Sequence, residues 1–229
     1  MSDTPNGILP ATFERHFTDL VKHASKVLAR MGISPDSITA VSFALGITAG
    51  ILLALDHLYW AFLAGFLMGI CDIIDGQIAG IINKSGRFGS VLDSVVDRYT
   101  DFLLFGGLGV RYYLLHEPYW MLVTALGLIG SFEVSYVKAR GEGVGLSCNI
   151  GLVQRSERLI LLGIGILFSG IVLKVILVVL AVLSHITALQ RLSLLRKLSR
   201  TESSNAIKKS DDKNTIRIES QNLGKVKSA

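Results

Sequence analysis

Asp72, Asp75, Asp93 and Asp97 fall in the run CDIIDGQIAGIINKSGRFGSVLDSVVDRYTDF, with apolar sequence on both sides. A carboxylate at membrane depth costs at least about 2.5–3.5 kcal/mol on insertion scales, so each one demands a counter-charge. The run supplies little positive charge of its own, and four carboxylates together ask for a cation that is not in the sequence. Oxygen-only ligation suits Mg²⁺ (or Mn²⁺) or Ca²⁺ and does not suit zinc. Four carboxylates can hold two such ions, and two-metal sites serve phosphoryl chemistry. Gly76, Gly80, Gly86 and Gly89 lie beside the acids, where the lack of a side chain lets a bulky phosphorylated ligand approach the backbone. Ordinary small-residue helix packing is the competing reading.

The acids need rigid elements to hold them. Asp72 and Asp75 are three apart, with Ala79 one turn further, and Asp93 and Asp97 are four apart. Both spacings put the groups on one helix face. The link over 83–88 is short, which predicts antiparallel neighbours presenting two carboxylates each to one point. The whole chain of 229 residues is 50% hydrophobic with mean hydropathy +0.51. That balance predicts an all-α polytopic membrane protein. Six transmembrane helices are expected, over 38–55, 58–82, 89–114, 119–137, 157–168 and 171–195. Ser169, Gly170 and Lys174 favour a tight turn between the last two over one long helix.

Before them, 11–30 reads as a juxtamembrane amphipathic helix. Phe13, Phe17, Leu20, Val21, Ala24, Val27 and Leu28 recur at helical spacing among Arg15, Lys22, Lys26 and Arg30. Three regions result: an N-terminal segment over 1–34, a six-helix membrane domain over 35–200, and a polar tail over 201–229 expected to be disordered. No cleavable signal peptide is expected, because 1–32 lacks an apolar core. Lys84, Arg87, Lys138, Arg140, Arg155, Arg158, Arg191, Arg196, Lys197 and Arg200 fall on one face of the six-span arrangement. That face is cytoplasmic by the positive-inside rule, which puts both termini and the acid cluster on the cytoplasmic side of the plasma membrane. The net charge of +5 is therefore topological, and no nucleic-acid partner is expected. Cys71 and Cys148 match no zinc or redox spacing and are read as free thiols.

The run Asp72-x2-Asp75-Gly76-x2-Ala79-Gly80-x8-Gly89-x3-Asp93-x3-Asp97 resembles the signature of the CDP-alcohol phosphotransferases. That family has Arg after the Ala, and here the position is Gly80, the one departure inside the motif. Arg87 is a candidate substitute for the missing contact, and a slower enzyme is the alternative. The resemblance implies six transmembrane helices, a juxtamembrane amphipathic helix, a homodimer, and two metal ions on Asp72, Asp75, Asp93 and Asp97. It implies a CDP-lipid donor whose CDP moiety lies against Pro35, Thr39, Asp72, Asp75, Gly76, Ala79, Gly89 and Asp93. Asp97, with Asp93 as the alternative, is then the base that deprotonates the acceptor hydroxyl. Pro35 also fits a helix start.

The stretch SYVKARGEGVGLSCNIGLVQRSERL is similar to the corresponding region of the phosphatidylinositol phosphate synthases of that family, or their archaetidylinositol phosphate equivalents. The similarity implies a phosphorylated polyol acceptor, inositol phosphate, bound by Ser135, Lys138, Arg155 and Arg191. Positive-inside charge touching lipid headgroups is the plainer reading of the same basic residues. Rival readings are the same chemistry with glycerol 3-phosphate or another alcohol, an inactive relative (because of Gly80), and a cation transporter. Transport needs a polar path across the whole bilayer, whereas 102–110 and 160–167 are nearly all apolar.

Overall fold

The computed structural model describes residues 11–82, 87–148, 150–151 and 154–226. Seven helices carry them: α1 Ala11–Arg30, α2 Pro35–Ala54, α3 Leu58–Ile82, α4 Arg87–Leu114, α5 Pro118–Gly143, α6 Arg155–Phe168 and α7 Gly170–Val226. No strand occurs among the described residues. Four helical stretches are long and apolar enough to cross a membrane: α2, Leu58–Gly80 of α3, α5, and Gly170–Thr201 of α7. Several such helices mark a multi-pass membrane protein. The other two expected spans fall short for physical reasons. α4 carries Asp93, Asp97, Arg98, Asp101 and Arg111. α6 has 14 residues, a rise of about 21 Å, where a hydrocarbon core takes about 20 residues.

Local chemistry sets the helix limits. Ser34 caps α2, its side chain accepting from Ser37 N at 3.2 Å, with Pro35 in the first turn. α1, α2, α4 and α5 all end in the same way, with Gly32, Asp56, His116 and Gly145 at positive φ. In each, the next amide reaches back five residues, as His57 N does to Leu52 O at 2.8 Å and Glu117 N to Tyr112 O at 2.9 Å. This closes the otherwise orphaned carbonyls. Asp56 takes that conformation without being glycine, and its carboxylate accepts from Arg111 Nε at 2.6 Å. Ser169, at φ 50°, separates α6 from α7, as the turn reading expects. α7 continues to Val226. Its sequence past Thr201 has no proline and one glycine, Gly224, and a helix already formed needs no new nucleus.

The chain forms two compact units, 1–131 with 154–182, and 132–153 with 183–229. In the first, α2 packs against both α3 and α4, while α1 and α6 pack on α3. The short link had predicted α3 and α4 as direct partners, but α2 is the helix that packs closely on each. Glycine allows this. A Cβ on Gly50 would stand 2.7 Å from the Leu103 carbonyl oxygen, and one on Gly107 would run into the Gly50 carbonyl. Leu53, Met68, Leu104, Leu108, Tyr112 and Leu162 fill the core around that crossing. α1 also packs on protein, with Val21 and Ser25 buried and Ser25 Oγ 3.4 Å from Gln77 Oε1. Phe66, Phe102 and Ile160 are exposed, an apolar surface suited to lipid. Tyr59, Trp60, Tyr113 and Tyr119 are exposed at helix ends, as aromatic residues at a membrane–water boundary are.

In the second unit, Arg191 is buried and holds backbone. Its Nε donates to Ile150 O at 2.7 Å and its Nη1 to Val134 O at 2.6 Å. Cys148, also buried, has its Sγ 3.8 Å from Arg191 O.

Candidate active site

Two helices supply the acids and a third supplies the counter-charge. Asp72 and Asp75 are on α3, Asp93 and Asp97 on α4, and Arg155 is the first residue of α6. Arg155 Nη1 lies 3.0 Å from Asp72 Oδ2, and Nη2 lies 2.8 Å from Asp97 Oδ1. Its Nη2 also donates to Thr100 Oγ1 at 3.3 Å. The planar guanidinium thus joins one carboxylate of each acidic helix, which a point charge on a flexible stem does less well. Sequence spacing does not place this cation beside the acids, since Arg155 is 83 residues from Asp72.

Helix α2 satisfies what Arg155 does not. Thr39 Oγ1 donates to Asp75 Oδ2 at 2.7 Å, and Ser42 Oγ donates to Asp72 Oδ1. Thr39 and Ser42 are three apart, so one face of α2 presents both hydroxyls. Asp75 is buried, whereas the Asp72 and Asp97 side chains keep 19% and 17% of their surface, enough for a ligand to reach them. Asp93 is exposed on α4, close enough to Asp72 and Arg155 to feel both charges. All four motif acids therefore share one electrostatic neighbourhood. They do not yet form a cage: among the described residues, no three His, Cys, Asp or Glu side chains gather closely enough to enclose a metal ion. Ser42, Thr39 and Arg155 hold the oxygens that would have to turn inward. The donor set itself, all carboxylate and hydroxyl oxygen, fits a hard divalent cation.

The remaining expected residues distribute as follows. Pro35 opens α2, and its carbonyl accepts from Thr39 Oγ1 at 3.1 Å. Gly76, Gly80 and Gly89 have no described atom within 4 Å of where a Cβ would stand. Among the described residues they are not packing glycines, in contrast to Gly50 and Gly107. Ala79 lies on the same helix, partly buried. Gly86 lies outside the described residues. Ser135, Lys138 and Arg191 belong to the second unit, while Arg155 belongs to the first. Lys138 is half-exposed with Glu142 Oε1 at 3.8 Å. Arg191, read as an acceptor ligand, is 6% exposed and donates through Nε and Nη1 to two backbone carbonyls.

Three participants were missed in the sequence. Ser42 and Thr100 look like ordinary small helix residues. Asp101 looks like one more acid, yet it continues the ladder Asp93, Asp97, Asp101 at four-residue steps, and that spacing was a usable signal.

A model of the family described as CDP-alcohol phosphatidyltransferase matches residues 32–187. The chain belongs to that family. Among its relatives in the CDP-alcohol phosphatidyltransferase family is the phosphatidylinositol phosphate synthase of Corynebacterium glutamicum. It is 37% identical over 182 residues, covering 76% of this chain and 82% of the relative. The archaetidylinositol phosphate synthase of Pyrococcus horikoshii is 34% identical over 175 residues, covering 75% and 88%. The fold also matches crystal structures of Mycobacterium tuberculosis phosphatidylinositol phosphate synthase. The one with CDP-DAG bound has a TM-score of 0.71 at 29% identity, covering 77% of this chain and 94% of that one. The one in complex with manganese and citrate has a TM-score of 0.70 at 30% identity, covering 76% and 88%.

Proposed function

We propose that this chain transfers a phosphatidyl-type group from a CDP-lipid to inositol phosphate and releases CMP. The observation that carries the reading is Arg155, a basic residue seated between Asp72 and Asp97 of the family motif. The names of the relatives support the same donor and acceptor. A divalent metal, Mg²⁺ or Mn²⁺, fits the carboxylates of Asp72, Asp75, Asp93 and Asp97, with two ions expected. When bound it neutralises the diphosphate of the donor.

The chain's own residues then act in order. Pro35, Thr39, Gly76, Ala79 and Gly89 line the approach for the CDP moiety, with the bare backbone at Gly76 and Gly89 leaving room for phosphate. Arg155 takes the phosphate of the acceptor, with Lys138 and Ser135 as further acceptor ligands. Drawing the guanidinium toward that phosphate releases Asp97, the proposed base, as the acceptor arrives. Asp97 accepts the proton of the acceptor hydroxyl, that oxygen bonds to the lipid-side phosphorus, and the phosphorus–oxygen bond to CMP breaks. Positioning and charge neutralisation supply most of the rate.

The six-span reading belongs to the same proposal. α4 and α6 cross with their polar ends at the cytoplasmic face, and α1 lies at that membrane surface while touching α3. Residues 35–200 form the membrane domain between the N-terminal segment 1–34 and the polar extension 201–229. Both termini and the site face the cytoplasm at the plasma membrane, and the protein is a homodimer.

The deciding experiment is CMP release by purified protein with Mg²⁺ and CDP-diacylglycerol, comparing inositol 1-phosphate, glycerol 3-phosphate, serine and no acceptor. Release with inositol phosphate alone supports the proposal. Release with glycerol phosphate instead keeps the chemistry and overturns the acceptor.

A further inference from the structure

Asp101 lies outside the family motif, and nothing in the proposed reaction uses it. Yet it is 5% exposed, and a buried carboxylate persists only with partners. Its partners come from three helices. On α4 itself, Arg98 Nη1 is 3.3 Å from Oδ2. From α5, Ser131 Oγ donates to Oδ2 at 2.7 Å. From α6, Arg158 Nη2 stands 3.8 Å from Oδ2, and Arg155 Nε stands 3.9 Å from Oδ1. Residues 155 and 158 share one face of α6, as residues three apart do. Asp101 therefore meets the guanidinium of Arg155 from its stem side, while Asp72 and Asp97 meet its outer nitrogens.

We infer that Asp101 is a positioning residue for the reaction: it anchors Arg155 from behind and fixes the guanidinium edge that a phosphorylated acceptor would meet. The geometry separates two jobs. Asp72 and Asp97 are needed elsewhere during turnover, so their hold on Arg155 has to be released. Asp101 is one turn deeper and its hold can persist, which keeps the guanidinium in place as its outer nitrogens change partner. An ion pair near 3.9 Å without a hydrogen bond suits this role, because it directs the group without locking its rotation.

The kinetic test rests on the acceptor reading above, and the chemical test does not. In the chemical test, phenylglyoxal labels arginines of the substrate-free protein, and peptide mass spectrometry follows Arg155, with Arg111 as internal reference. Asp101→Asn is expected to speed labelling of Arg155 about threefold, because one of its carboxylate partners is lost. In the kinetic test, KM is measured for whichever phosphorylated acceptor supports CMP release. Asp101→Asn is expected to raise that KM about tenfold with kcat changed less than about threefold, and to add nothing in an Arg155→Gln background. Asp101→Glu keeps the charge and is expected to restore KM to within about threefold of the original. Unchanged labelling, or Asn and Gln effects that add, would overturn the inference. So would a Glu variant that melts normally but keeps the tenfold defect. If Asp101→Asn does not fold, the Glu variant decides alone. Failure of every acceptor to support turnover would count against the proposed function and leave the labelling result standing.

Discussion

Arg155 joins Asp72 and Asp97 through two nitrogens of one plane, at 3.0 and 2.8 Å, and so ties the first turn of α6 to both acidic helices. The counter-charge that the acids require is present in the fold, although it comes from far along the chain.

Arg155→Gln should therefore do more than remove an acceptor contact. Charge-assisted hydrogen bonds contribute about 1.5–3 kcal/mol each, so acceptor kcat/KM should fall about 10–100-fold. Arg155→Lys should recover only part of this, since an ammonium cannot bridge both carboxylates in one plane. Steady-state CMP release against acceptor concentration measures both. Full recovery by lysine would mean that charge alone matters.

Asp97→Asn should reduce turnover by about 10²–10⁴-fold, the usual contribution of a positioned base. Donor binding should partly survive, because Asp72, Asp75 and Asp93 remain. Single-turnover CMP release, with CDP-lipid binding followed separately by calorimetry, tests the pair of outcomes. Turnover near the original level would remove Asp97 from the role of base.

The glycines should divide into two classes. Gly107→Ala places a methyl group against the Gly50 carbonyl and should destabilise by about 1–3 kcal/mol, as overpacking does. Gly76→Ala meets no described atom within 4 Å and should leave the melting temperature unchanged while slowing turnover. Thermal unfolding in detergent alongside CMP release distinguishes them. A Gly76 variant that lowers the melting temperature would return that residue to helix packing.

Arg191→Gln should act on stability. It removes the charge-assisted hydrogen bonds to the Ile150 and Val134 carbonyls, each contributing about 1.5–3 kcal/mol. Unfolding should shift to lower temperature while the acceptor KM of the surviving protein stays within about twofold. A large KM change with normal melting would instead make Arg191 an acceptor ligand, as the resemblance implies.

These expectations also show which parts of the molecule were legible. The acids announced themselves, because four carboxylates at helical spacing in apolar sequence are too costly to keep without a cation to serve. Pro35 at the start of α2 and the break at Ser169 were legible too, since helix-start and turn chemistry act over a few residues. What stayed hidden depends on long-range pairing. Nothing near Asp72 in sequence names Ser42 as its donor, and Thr39 and Arg155, read as nucleotide and acceptor ligands, pair with the acids themselves. Arg191 illustrates the same limit: its two donors to the Ile150 and Val134 carbonyls join residues 41 and 57 positions apart. The packing of α2 on both α3 and α4 was missed because Gly50 and Gly107 read as ordinary small residues. Only their opposition across two helices gives them meaning.

That opposition has a mechanical consequence. Where Gly50 meets Leu103 and Gly107, backbone touches backbone, and no side chain is left to compress. The contact acts as a fulcrum. Ser42 and Thr39 on one arm, and Asp97 and Asp93 on the other, are 8–14 residues away, about 12–21 Å along their helices. A tilt of about 5° at the fulcrum moves groups on such arms by about 1–2 Å. That is enough to part a guanidinium from a carboxylate without any helix losing its place.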